Sequence, residues 1–240
     1  AQDKKTTLTY KVQLSQKQET NTPSPTYAPL PTNGGNGNGN GGGIGNSSGA
    51  GNITGIGTGE FSQTPVFADT AGHWAREDIE EMYRRGIVSG VTQNTFEPDR
   101  DITRAEFAAL VIRALELSAT EAPDFLDVPA DSWYADEVRT AAAVGIISGY
   151  EGMFRPEERI TREEMTVILV KAYQFRGGTI PNGPLGAFGD RDKIAPWALP
   201  YVEQAVGAGL ISGMTADTFA PAQNATRAQA VSVLRRLLDS

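Results

Sequence analysis

Cysteine is absent from the 240 residues and histidine occurs once. The first absence excludes a disulfide framework, cysteine-ligated zinc and a thiol nucleophile. A single histidine cannot build a histidine-rich metal site, and nothing in the composition calls for a cofactor. Basic residues are outnumbered, 21 Lys and Arg against 29 Asp and Glu, for a net charge of −8. That balance argues against a nucleic-acid binder, which neutralises phosphates with clustered cations. No apolar run approaches the roughly 20 residues that a membrane span requires. The chain begins Ala1-Gln2, with neither Met nor a signal-like segment, so a fragment or a processed form is expected.

Apolar residues are unevenly spread. Residues 1–60 contain only 12 of them and carry four Lys against three acids, whereas residues 61–240 carry 17 basic and 26 acidic side chains. Residues 1–66 therefore read as a polar tail, and 67–240 as a folded module large enough for a core. Between Asn33 and Glu60 there are 13 Gly and 6 Asn. Such a stretch buries too little to offset its chain entropy and reads as a disordered linker. Pro23, Pro25, Pro29 and Pro31 favour extended chain before it. Earlier still, Leu8, Tyr10, Val12 and Leu14 alternate with polar residues. Residues 7–14 are thus either the last strand of an upstream β domain or a polar tail with chance alternation.

The module repeats one unit three times. Phe-x-Asp openings stand at Phe67, Phe125 and Phe188. Trp74, Trp133 and Trp197 are each followed twelve residues later by Gly86, Gly145 and Gly209. Ser89-Gly90, Ser148-Gly149 and Ser212-Gly213 come next, then Phe-x-Pro at Phe96, Phe154 and Phe219. All three tryptophans of the chain fall in register, so composition bias cannot explain the repeat. The units span 67–117, 125–175 and 188–238.

Each unit reads as helix, turn-rich loop, helix. Ala75, Ile79, Met82 and Tyr83 share a face at helical spacing in the first helix of unit one. The glycine twelve residues after the Trp fits the left-handed residue beyond a helix end. The second helix starts at Thr103, Thr161 or Thr226. Thr103 with Glu106 and Thr161 with Glu164 are capping boxes, and Thr226 with Gln229 is an amide version. Ile102 with Phe107 and Ile160 with Met165 fit hydrophobic staples; Ala225 with Ala230 is a weaker one. One pair of helices has too little core alone. The three units are expected to pack as a single all-α body of rough threefold character.

Arg104, Arg162 and Arg227 follow the capping threonines. A cation at the first helical position opposes the helix dipole, and the choice is made three times. It suggests a local anion. The candidates are the carboxylate of the Phe-x-Asp opening (Asp69, Asp127, Asp190), or a ligand acid held by the Arg and free helix N–H groups. The tryptophans are open to core packing or to lying against a sugar face. The Ser-Gly pairs are open to being turns with positive φ, or to presenting backbone to a ligand. The following residues differ (Val91, Tyr150, Met214), and Gly149 to Thr161 is one residue shorter than its counterparts. The three grooves are therefore expected to be non-equivalent. A glycosidase pair at Asp99 and Asp101 or at Glu157 and Glu158 finds no support, since unit three has Ala222-Gln223 there. His73 reads as a surface or capping variant, and Asp99-Arg100-Asp101 does not continue as a calcium loop.

The ordered series of Phe-x-Asp, Trp, Gly-Ile/Leu-x-Ser-Gly, Phe-x-Pro and Thr-Arg-x-Glu/Gln, present three times over 67–238, resembles the S-layer homology family. That resemblance implies a mostly helical, pseudo-threefold spindle. It implies non-covalent anchoring of a bacterial surface protein, outside the cell, to a secondary cell-wall polysaccharide carrying pyruvylated N-acetylmannosamine. It places the ligand in grooves between motifs, with the Arg of each Thr-Arg motif in contact. The expected ligand-binding set is then Arg104, Arg162 and Arg227, the three tryptophans, and the triplets Ser89-Gly90-Val91, Ser148-Gly149-Tyr150 and Ser212-Gly213-Met214. No catalytic residue and no metal ligand is expected. The alternative is a protein–protein module for surface-layer lattice assembly, with the arginines as internal salt bridges.

Overall fold

The computed structural model describes residues 66–119, 123–179 and 188–240. The expectations for residues 1–65, including the strand at 7–14 and the linker, lie outside the described residues. Among those described there are six α-helices: α1 (Arg76–Arg84), α2 (Arg104–Ala114), α3 (Ala135–Ala143), α4 (Arg162–Phe175), α5 (Leu199–Gly207) and α6 (Arg227–Asp239). Short 3₁₀ turns precede α1 and α5, at Ala68–Thr70 and Arg191–Lys193. The all-α, helix-loop-helix expectation holds, with each first helix beginning two residues after its Trp.

The second helices begin as their sequences require. Thr103 and Thr161 close full capping boxes with Glu106 and Glu164. Thr226 accepts from the Gln229 N–H without the reciprocal bond. Gly86, Gly145 and Gly209 have φ of 72°, 78° and 71°, as a left-handed residue past a helix end needs. On α1, Ala75, Ile79 and Met82 are fully buried, while Tyr83 stays 43% exposed and meets Phe67 edge-on.

The three units close into a ring. The Ile102 N–H donates to the Ala225 carbonyl, Ala225 to Ile160, and Ile160 back to Ile102. Isolated bridges such as Thr103 with Arg159 and Thr161 with Asn224 flank this triangle. The second helix of each unit packs on the first helix of the next: α2 on α3, α4 on α5, α6 on α1. One core runs through all three units, with Phe96, Phe107, Phe154, Phe219, Ile102 and Ile160 almost wholly buried.

The Phe-x-Asp openings are braces for the Phe-x-Pro loops. Asp69 accepts from the Phe96 and Glu97 N–H groups, Asp127 from Phe154 and Arg155, and Asp190 from Phe219 and Ala220, at 2.6–3.1 Å. The second residue of each pair has positive φ: Glu97 58°, Arg155 61°, Ala220 58°. A left-handed non-glycine residue costs about 1–2 kcal/mol, and the two charge-assisted bonds offset that strain. Burial works against the Asp190 carboxylate, but its backbone donors hold its pKa below the ordinary aspartate value.

Candidate functional site

Each of the three repeated arginines reaches out of its own unit into the next. Arg104 Nε donates to the Phe154 carbonyl at 3.0 Å, Arg162 Nε to Phe219 at 2.9 Å, and Arg227 Nε to Phe96 at 2.9 Å. Each guanidinium also lies over the ring of that same Phe, 5.0, 5.0 and 4.4 Å from the centroid. Within the module, each Arg is therefore held mainly by a carbonyl and a ring of the neighbouring loop, and not by a Phe-x-Asp carboxylate, because those carboxylates are spent on backbone N–H groups.

The helix N–H groups expected to help hold a ligand acid are occupied too. The Arg104 and Ala105 N–H groups donate to the Glu158 and Pro156 carbonyls. Those of Arg162 and Glu163 donate to Gln223 and Pro221, and those of Arg227 and Ala228 to Arg100 and Pro98. The third N–H of each helix goes to its capping threonine. The first three N–H groups of each second helix are consumed by ring closure and capping, so they are not left for a ligand acid.

Around each Arg the fold assembles pieces of all three units. Arg104 of unit one meets Ser148, Gly149 and Tyr150 of unit two and Trp197 of unit three in one cleft of about 630 Å³. By the internal register, Arg162 belongs with Ser212, Gly213, Met214 and Trp74, in the groove between α6 and α1. Arg227 belongs with Ser89, Gly90, Val91 and Trp133, between α2 and α3. Arg162 and Arg227 do donate to the Ser212 and Ser89 carbonyls. Sequence reasoning found the residue types and could not group them, because each site takes one piece from each unit.

The three sites differ in access. Arg162 and Arg227 are 3% and 2% exposed. Burial lowers both pKa values to about 10, which still leaves them cationic at neutral pH. All three nitrogens of Arg162 are hydrogen-bonded, to Phe219, Gln229 and Ser212. The Arg104 side chain keeps 15% exposure and pairs with Glu164 at 3.2 Å. Among the described residues no bond joins it to Ser148, so one terminal nitrogen is left for something else.

Trp74 and Trp197 are 63% and 54% exposed, which removes core packing as their reading. Trp133 is half-buried beneath the Arg113 guanidinium, 5.6 Å from its ring centroid. Tyr150 is 68% exposed, Met214 42%, and Val91 buried. The Ser-Gly glycines do not have positive φ. A Cβ at Gly90, Gly149 or Gly213 would come within 2.6 Å of the ring of Phe67, Phe125 or Phe188. Such a Cβ would also lie 2.3–2.5 Å from the Thr92, Met153 or Thr215 carbonyl, so close approach of the opening Phe and of the loop's own backbone, and not a positive φ, is what requires glycine there.

The shorter loop of unit two also takes a different shape. Tyr150 and Met153 exchange backbone hydrogen bonds around Glu151 and Gly152, both at positive φ. This is a tight two-residue turn of the type that glycine favours. In the other units the corresponding bonds span four residues, Val91 to Thr95 and Met214 to Thr218. The tight turn leaves Tyr150 standing clear on the rim of the Arg104 cleft.

A family model described as the S-layer homology domain matches residues 66–108, 124–166 and 187–231. The chain belongs to the S-layer homology family. It is 37% identical over 182 residues to an amylopullulanase of Thermoanaerobacterium thermosulfurigenes, covering 75% of this chain and 10% of that protein. It is 36% identical over 185 residues to exoglucanase XynX of Acetivibrio thermocellus, covering 76% and 17%. A surface-layer 125 kDa protein of Lysinibacillus sphaericus is 36% identical over 145 residues, covering 60% and 12%. The chain thus spans less than a fifth of each of these relatives. An S-layer homology module is a non-catalytic anchoring domain that binds cell-wall polymers, and this one is an extracellular module of the bacterial cell surface. Among the described residues no cluster of His, Asp or Glu could hold a metal ion, and no helix is long and apolar enough to cross a membrane.

Proposed function

We propose that the module anchors a larger surface protein by reversible, lectin-like binding of a secondary cell-wall polysaccharide whose sugars carry pyruvate ketals on N-acetylmannosamine. The observation that carries this reading is the Arg104 cleft. The partly exposed Arg104 guanidinium stands in a cleft of about 630 Å³ that the exposed Tyr150 and Trp197 also line. Guanidinium suits a carboxylate, and aromatic faces suit the C–H face of a pyranose ring. The residues from 61 onward are strongly acidic, so attraction of an anionic polymer rests on placed cations and not on the overall field. Residues 1–66 serve as a spacer between the 67–240 module and upstream cargo.

The test is retention of purified cell-wall glycan by the module, before and after mild acid removes the pyruvate ketals. Retention should fall at least tenfold on depyruvylation, about 1.4 kcal/mol. Arg104→Ala should match that loss while remaining folded. Absence of retention together with self-association in solution would instead establish the lattice-assembly reading.

A further inference from the structure

The groove walls continue beyond the repeated arginines, and there the units diverge. Nine residues after Arg104 and Arg162 stand Arg113 and Lys171; eight and nine after Arg227 stand Arg235 and Arg236. Four residues after Trp133, Trp74 and Trp197 stand Glu137, Asp78 and Tyr201. Between α2 and α3, Arg113 pairs with Glu137 at 2.7 Å and covers Trp133. Between α6 and α1, Arg235 pairs with Asp78 at 2.7 Å. Between α4 and α5, the position of the acid is held by Tyr201. Among the described residues no carboxylate pairs with Lys171.

Five charged side chains line the α4/α5 cleft: Arg104, Arg155, Lys171, Glu158 and Glu164. Arg104 pairs with Glu164 at 3.2 Å and Arg155 with Glu158 at 3.7 Å. Lys171 remains as the uncompensated charge. It stands seven residues along α4 from Glu164, a rise of roughly 10 Å, and a helical side chain leans toward the N-terminus. Lys171 and the Arg104–Glu164 pair therefore line one cleft about two helical turns apart along α4.

We infer that the α4/α5 groove is the module's one working glycan site, and that Lys171 is its specificity-determining second cation, selecting an acidic sugar over a neutral one. The inference rests on the glycan-binding reading above. In the other two grooves Arg113 and Arg235 are neutralised by Glu137 and Asp78, and the repeated arginines Arg227 and Arg162 are buried.

Titration calorimetry with the methyl glycoside of pyruvylated N-acetylmannosamine tests it, with the unpyruvylated glycoside as comparison. The wild-type module should bind one molecule. Lys171→Met should weaken binding at least tenfold, flatten its salt dependence and narrow the preference for the pyruvylated glycoside; Lys171→Arg should restore most of the loss. Tyr201→Glu installs the acid found in the other grooves and should abolish binding, with thermal melts confirming that both variants are folded. Two or three molecules bound overturns the single-groove assignment, and unchanged affinity and salt dependence in Lys171→Met overturns the role of Lys171; either leaves glycan binding standing. No binding of either glycoside by wild type, together with no retention of wall glycan, overturns both.

Discussion

At the residue scale, the same Arg has been put to two uses. Arg227 and Arg162 are staples: each ties its helix start to the next unit through two carbonyls and a Phe ring, out of reach of solvent. Arg227→Ala leaves the Phe96 and Ser89 carbonyls unpartnered, and a hydrogen bond to a charged group nets about 1.5–3 kcal/mol. A loss of about 3 kcal/mol is expected in urea melts. Arg104→Ala, from a side chain that keeps some exposure and lacks the serine bond, should cost about 1 kcal/mol. If the two variants lose equally, the distinction between staple and groove cation fails. Asp190 supplies the acid limb of stability. Its folded pKa lies below its unfolded value, so its contribution is complete above the ordinary aspartate pKa of 3.8 and is lost as pH falls through the lower folded value. Asp190→Asn should thus lower stability near neutral pH, and the gap to wild type should close below about pH 3.8 in acid titrations followed by circular dichroism.

At the element scale, the helix starts were the most legible part of the sequence, because a cap is a local contract among four residues. Thr103→Ala and Thr161→Ala break reciprocal boxes and should each cost about 1 kcal/mol. Thr226→Ala breaks a one-way bond beside an Ala225–Ala230 staple and should cost less, as denaturant melts of the three variants will show. The loops were less legible. A one-residue deletion in unit two could be read, but not that it becomes a tight turn that lifts Tyr150 onto a rim. Nor could the sequence tell that Gly90, Gly149 and Gly213 accommodate a ring from the unit's own opening Phe, since that contact spans more than twenty residues. Lys171 is illegible in the sequence for a related reason. A lysine on a helix face is ordinary until the residue opposite is known, and Tyr201 lies one unit away.

At the scale of the whole molecule, the repeat announced its threefold character but not its wiring. Every working contact is displaced by one unit, so a site assembled from consecutive residues mixes three different grooves. The same displacement makes the module indivisible. The ring through Ile102, Ala225 and Ile160 has no two-unit version, and α1 finds its packing partner in α6. Removing residues 188–240 exposes the apolar face of α1 and that of α4 where α5 packed. It also leaves the Phe96 and Ser89 carbonyls without Arg227 and the N–H groups of Ile102, Arg162 and Glu163 without acceptors. A repeat array with only neighbour contacts would lose stability in proportion to the units removed; a closed ring loses cooperativity outright. The 66–187 fragment is therefore expected to show no cooperative melt by circular dichroism and poorly dispersed amide resonances, whereas 66–240 melts in a single transition. A cooperative melt for the shorter fragment would mean that the ring bonds follow from packing within each unit and do not hold the units in place.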